Sequence, residues 1–248
     1  MQTNFTLKSN TTDHAPMQIG SFRDFYAFLG HVKTCRAKRG LEVAQAWYDM
    51  PVFYFSNHRS IKHHQEEIAI PQNANQLDFE LELGLIIAKQ GINIKPQEAW
   101  QYVAGFTIIN DFSARDLQKK EMTVGLGPSK GKDFATAVGP HYIPLEKLKK
   151  HIQQNQQIDL QMTARINGKT VTQNNANTMH FNWPQIIAHA SKDATLMPGD
   201  LLGSGTVAGG CILELGPENT GGWLKPGDIV ELEIQHIGTL RNKIIATK

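Results

Sequence analysis

Leu77-Asp78-Phe79-Glu80-Leu81-Glu82-Leu83-Gly84-Leu85-Ile86-Ile87-Ala88 is the stretch on which the fold turns. Its first seven residues alternate with period two. An extended chain therefore sets Leu77, Phe79, Leu81 and Leu83 on one face and Asp78, Glu80 and Glu82 on the other. The continuation 85–88 is apolar on both faces, which carries the strand into the interior and takes its acids along. A solvated face of an amphipathic strand is the competing reading, and the apolar continuation weighs against it. Like charges in a partly buried place need a cation, and carboxylate oxygens suit Mg²⁺, Ca²⁺ or Mn²⁺.

Outward from this strand the pattern stays β-rich. Segments 52–55, 104–110, 158–166, 201–203, 211–215 and 229–237 read as further strands, and Asn167-Gly168 between β-prone runs is a strong hairpin signal. Phe22, Phe25, Phe28, Leu29 and Val32 recur at helical spacing, with Ser21 as a cap and Gly40 as a stop, so 21–39 is expected to form an amphipathic helix. Shorter helices are expected over 96–103 and 113–121. The glycine-rich stretch 125–139 is a loop long enough to have a role beyond connection. The expected class is mainly β with short helices (α+β). An N-terminal arm and helix (1–48) contribute to the site, and the main domain covers 49–248. The first sixteen residues are polar and are expected to form a loose arm.

Composition narrows the function. The 248 residues carry 25 Lys and Arg against 23 Asp and Glu, a net charge of +2, too little and too scattered to attract nucleic acid. No apolar run approaches the roughly 20 residues needed to span a bilayer, and residues 1–16 lack the pattern of a signal peptide. No membrane partner is expected, and a cytoplasmic location is. Cys35 and Cys211 are far apart and form no CxxC pair, so they are expected to be packing residues.

A third carboxylate, Asp111, follows the apolar run 106–109; alone it would be read as a helix cap. The motifs DFELELGLIIA (78–88), GFTIINDFSARDLQ (105–118), LGPSKGKDF (126–134) and GDLLGSGTVAGG (199–210), taken in order, resemble the fumarylacetoacetate hydrolase family. The resemblance implies a mixed β-roll, barrel-like core, a homodimer, and a Mg²⁺, Ca²⁺ or Mn²⁺ ion held by Glu80, Glu82 and Asp111. The segment from Asp24 to His31 is similar to the one that gives the family another metal-binding aspartate and its catalytic histidine; without that likeness His31 would be read as a packing or surface residue. Glu214 then matches the acid that orients the base, while Gln118 and Lys132 match oxyanion-stabilising groups. Tyr26, Tyr54, Thr206 and Arg39 match substrate contacts, although Arg36 competes with Arg39 and Lys130 with Lys132. The implied activity is hydrolysis of a carbon–carbon bond in a small 1,3-dicarbonyl acid, of the fumarylacetoacetate or acylpyruvate type. Its rivals are a decarboxylase or isomerase of a 2-keto or 2-hydroxymuconate-like acid, and a metal-binding module without catalysis.

Overall fold

The computed structural model describes residues 18–247, so the expected polar arm of the first sixteen residues lies outside the described residues. The strands are β1 (Phe22–Phe25), β2 (Phe53–Phe55), β3 (Ile61–Lys62), β4 (Glu67–Ala69), β5 (Leu77–Asp78), β6 (Leu81–Ile87), β7 (Val103–Asp111), β8 (Ser113–Ala114), β9 (Thr136–Pro144), β10 (Gln161–Ile166), β11 (Lys169–Asn175), β12 (Leu201–Gly203), β13 (Ile229–Ile234) and β14 (Gly238–Ile245). Short helices punctuate them: α1 (Leu29–Ala37), α2 (Gln45–Asp49), α3 (Arg115–Met122), α4 (Leu145–Leu148), α5 (Trp183–Ala190), α6 (Ile212–Leu215) and α7 (Pro217–Thr220).

One sheet runs β2-β1-β12-β6-β7-β9-β3 and a second runs β11-β10-β13-β14-β4, with a small β5-β8 ladder beside them. This is a mixed α+β fold, mostly strands, whose sheet curls into a half-barrel. Most pairings are antiparallel; β1 with β12, β3 with β9 and β14 with β4 are parallel. All seven residues of β6 are buried, as expected of a central strand covered on both faces. Phe79, Leu81, Leu83, Phe106, Phe112 and Trp183 are sealed in the main core, where truncating a leucine to alanine costs about 2–5 kcal/mol. The Asn167-Gly168 hairpin joins β10 to β11 as expected, with Asn167 and Gly168 both at positive φ.

Three expectations need correction. Segment 21–39 is not one helix: Phe22–Phe25 forms a strand between β2 and β12, and the helix starts only at Leu29. Both neighbours offer open ladder hydrogen bonds, and that tertiary pairing overrides the helical spacing of the phenylalanines. The expected strand 77–88 breaks at Phe79-Glu80, which sends Asp78 and Glu82 to different partners. Segment 211–215 is a helical turn rather than a strand.

Candidate active site

The register explains why acids from distant stretches meet. Asp24 on β1 pairs with Gly203 on β12, Gly203 with Gly84 on β6, and Asp24 with Tyr54 on β2. On the far side of β6, Asp111 at the end of β7 bonds back to the backbone of Glu80 and pairs with Thr136. Tyr54, Asp24, Glu82, Glu80, Asp111 and Thr136 thus share one face of the curled sheet. Gly203 provides the room. A Cβ there would lie 2.3 Å from Asp24 Oδ1 and 3.0 Å from Glu82 Oε2.

Asp24, Glu82 and Asp111 bring carboxylate oxygens within 4.8 Å of one another, and all three are buried. Among the described residues Asp24 Oδ1 and Glu82 Oε2 have no hydrogen-bond partner, although both are buried. Unpaired buried oxygens of this kind are costly unless a cation or proton meets them. The protonation tendencies agree. Burial, then the charge of Asp111, raises Asp24 from 3.8 to about 8. Burial with Asp24 and Asp111 close by raises Glu82 well above its ordinary value. An all-oxygen, negatively charged pocket fits a hard divalent cation, which Asp24, Glu82 and Asp111 would hold.

Glu80 sits differently from its expected place among the ligands. Its Oε1 accepts from Arg115 Nη2 at 2.7 Å and its Oε2 from Lys132 Nζ at 2.5 Å. Burial would raise Glu80, but Lys132 and Arg115 pull it below the usual carboxylate range. Lys132 Nζ also donates to Asp111 Oδ2 at 2.5 Å, and burial, which would lower it, is outweighed by these two acids. Lys132 therefore points inward, whereas exposed Lys130 pairs with Asp133. Tyr54, expected to touch substrate, also lies against the carboxylates: its hydroxyl is 2.5 Å from Asp111 Oδ2 and 3.1 Å from Asp24 Oδ2. Thr206 Oγ1 lies 3.5 Å from Glu82 Oε1.

Arg115 lies within the GFTIINDFSARDLQ motif and joins the site through α3. Its guanidinium spans Asp78, Glu80 and Gln118, and the contact at 3.0 Å from Nη1 to Gln118 Oε1 leaves the Gln118 amide N–H groups free to donate elsewhere. An arginine immediately after a β-prone run, followed at i+3 by glutamine, was the available signal.

Next to the carboxylates lies a second group. His31 on α1 places Nδ1 2.6 Å from Glu214 Oε2, and the other Glu214 oxygen accepts from the Gly209 backbone N–H at 3.0 Å. The α6 turn carrying Glu214 is held by Asp78, whose oxygens accept from the backbone N–H groups of Ile212 (2.7 Å) and Leu213 (3.0 Å). Tyr26 packs edge-on against the His31 ring at 5.3 Å. Burial alone would lower His31, but contacts with Cys211 and Glu214 outweigh it and hold the imidazole near about 10. Cys35 and Cys211, expected only to pack, both touch this pair: Cys35 Sγ lies 3.7 Å from each ring nitrogen and Cys211 Sγ 3.5 Å from Glu214 Oε2. Arg39 is exposed just beyond α1, while Arg36, a turn earlier, acts electrostatically on Tyr26. A cavity of about 310 Å³ opens between Tyr54, Asn57, Ser129 and Lys132, large enough for a small acid.

The model of the fumarylacetoacetate (FAA) hydrolase C-terminal region matches residues 21–245. The chain belongs to the fumarylacetoacetate hydrolase family. Among family relatives it is 34% identical over 197 residues to the mitochondrial oxaloacetate tautomerase fahd2 of Xenopus laevis, covering 79% of this chain and 58% of the relative's length. It is 32% identical over 194 residues to a 2,4-didehydro-3-deoxy-L-rhamnonate hydrolase of a Sphingomonas species, covering 78% and 65%. The chain thus spans less than two thirds of the length of these curated members. Among solved structures, the fumarylacetoacetate hydrolase of Exiguobacterium antarcticum superposes with a TM-score of 0.75 at 27% identity, covering 95% of this chain and 80% of that one. A 5-carboxymethyl-2-hydroxymuconate delta-isomerase of Mycobacterium smegmatis shares the fold at 23% identity and a TM-score of 0.73, covering 94% and 82%. Family members of this kind are enzymes and generally bind a divalent metal.

Proposed function

We propose that the chain is a metal-dependent hydrolase that cleaves the carbon–carbon bond between the carbonyls of a small 1,3-dicarbonyl acid, of the fumarylacetoacetate or acylpyruvate type. The observation that carries this reading is the 2.6 Å contact between His31 and Glu214, set beside the carboxylate cluster. Hydrolysis needs a base for water as well as a place for negative charge, and this pair is the base with its orienting acid.

A divalent cation bound by Asp24, Glu82 and Asp111 would supply electrophilic stabilisation to the leaving enolate. In its neutral form His31 keeps the Nδ1–H that Glu214 holds, and its Nε2 lone pair takes a proton from water as the water oxygen bonds to the carbonyl carbon. Lys132 and the Gln118 amide face the negative charge that develops on that carbonyl oxygen, where losing one such donor costs about 3 kcal/mol of transition-state stabilisation. The carbon–carbon bond then breaks with its electron pair passing to the enolate. His31 returns the proton to the leaving carbon. The chemistry uses one water and leaves the residues as they began.

The expected metal is Mg²⁺, with Ca²⁺ or Mn²⁺ as substitutes, and the expected assembly is a homodimer. A second reading, proton exchange on a 2-oxo acid, has its own support: the likeness to oxaloacetate tautomerases and a resting proton on His31. Acylpyruvates, fumarylacetoacetate and oxaloacetate, each assayed with Mg²⁺ and with chelator, separate the two. Two shorter acids released from an acylpyruvate support hydrolysis. Enol–keto exchange of oxaloacetate without bond cleavage supports the second reading, and turnover that chelator leaves unchanged refutes both.

A further inference from the structure

Beside the carboxylate cluster, whose donors are all oxygen, stands a group of different chemistry. A His31 ring nitrogen, Cys211 Sγ and a Glu214 oxygen lie within 4.8 Å of one another, and Nδ1 is the nitrogen that faces Glu214. Cys35 follows His31 by four residues on α1, which places both on one helix face, and its Sγ is 3.7 Å from each ring nitrogen. His31 and Cys211 are buried, and the Glu214 side chain is 3% exposed.

We propose that His31, Cys211 and Glu214, completed by Cys35, form a second cation site, selective for a thiophilic divalent ion such as Zn²⁺ or Cd²⁺ and separate from the carboxylate site. Sulfur and imidazole donors suit Zn²⁺ and disfavour Mg²⁺ or Ca²⁺, so the two sites sort cations by hardness. The spacing fits. Bonds of about 2.0–2.3 Å set tetrahedral donors roughly 3.3–3.7 Å apart. The contacts of 3.5 Å between Cys211 and Glu214 and 3.7 Å between Cys35 and His31 already match. The 2.6 Å contact between His31 and Glu214 has to open, because the ion takes the place of the proton they share, and Cys35, which stands outside the group of three, has to draw in toward it. Each ligating thiol gives its proton to solvent.

Binding at this site silences His31. With Nδ1 on the ion, a neutral imidazole keeps its remaining proton on Nε2, so the lone pair required of a base is gone. Glu214 is withdrawn from its orienting role at the same time. The cation site stands on geometry alone, while the inhibition rests on the proposed role of His31.

The test begins with the full chain saturated with Mg²⁺ and then given one equivalent of Zn²⁺. X-ray absorption at the zinc edge is expected to show sulfur at about 2.3 Å together with nitrogen or oxygen. A shell of nitrogen and oxygen alone overturns the proposal, and because this measurement uses the native chain it does not depend on any variant folding. Cd²⁺ titration is expected to raise a thiolate-to-metal band in the ultraviolet that is lost in Cys211→Ser, weakened in Cys35→Ser and retained in Glu82→Gln. A band that survives Cys211→Ser overturns the assignment. Zn²⁺ is expected to abolish turnover reversibly, with a thiol-free chelator restoring it. If no dicarbonyl acid is turned over but the sulfur shell is present, the proposed activity fails and the second site stands.

Discussion

His31 is where the chemical alternatives divide. Its imidazole is held near about 10, against a burial that alone would lower it. A base must have lost its proton, so hydrolysis through His31 is expected to speed up with pH over the range in which the imidazolium persists, and His31→Asn is expected to flatten that profile and lower kcat by about 10²–10⁴. A rate that falls over the same range places the proton in use as an acid, as keto–enol exchange requires. Asp24 makes a separate prediction about stability. Its carboxyl rises from 3.8 to about 8 on folding, so the metal-free fold binds the extra proton and loses stability as pH climbs between those values. A cation that occupies the site removes this penalty. Added Mg²⁺ is expected to raise Tm more above about pH 8 than near about pH 6, with a gain of about 2.7 kcal/mol at a hundredfold excess over Kd. Lys132 is clasped between Glu80 and Asp111, and Lys132→Met is expected to destabilise the metal-free protein by about 3–5 kcal/mol in urea denaturation, because two buried carboxylates lose the cation they share.

Among the elements, β12 shows how a strand can serve a site without offering it a side chain. Gly203 lies beneath Asp24 and Glu82, so Gly203→Ala is expected to abolish Mg²⁺ binding, read by calorimetry, while circular dichroism still reports a β-rich fold. The central strand was legible because period two and an apolar continuation are both local signals, and Glu80, Glu82 and Asp111 do meet within one charged network. Local signals were also what failed. Phe22 and Phe25 have helical spacing, but their strand is fixed by partners far along the chain, which no window of sequence contains. Glu214 sits on a helical turn whose start is set by hydrogen bonds to Asp78, a contact across 134 and more residues. The break at Phe79-Glu80 was equally invisible, because a run that alternates correctly says nothing of where its ladder changes partner. The contacts of Glu80 with Lys132 and Arg115 were hidden too, because they depend on the inward turn of one of two neighbouring lysines.

For the molecule as a whole, the curled sheet gathers residues from β1, β2, β6, β7 and the segment between α3 and β9 onto one face, and among the described residues no helix is long and apolar enough to cross a membrane. Asp78 takes no place in the proposed chemistry, yet it accepts from Arg115 with one oxygen and holds the start of α6 with both. Arg115 orients Gln118, and α6 carries Glu214. Oxyanion support and base orientation therefore share a single fixed point, and a shift of that carboxylate would detune both together. For the proposed chemistry this means that proton handling and charge stabilisation cannot drift independently while one aspartate keeps them in step.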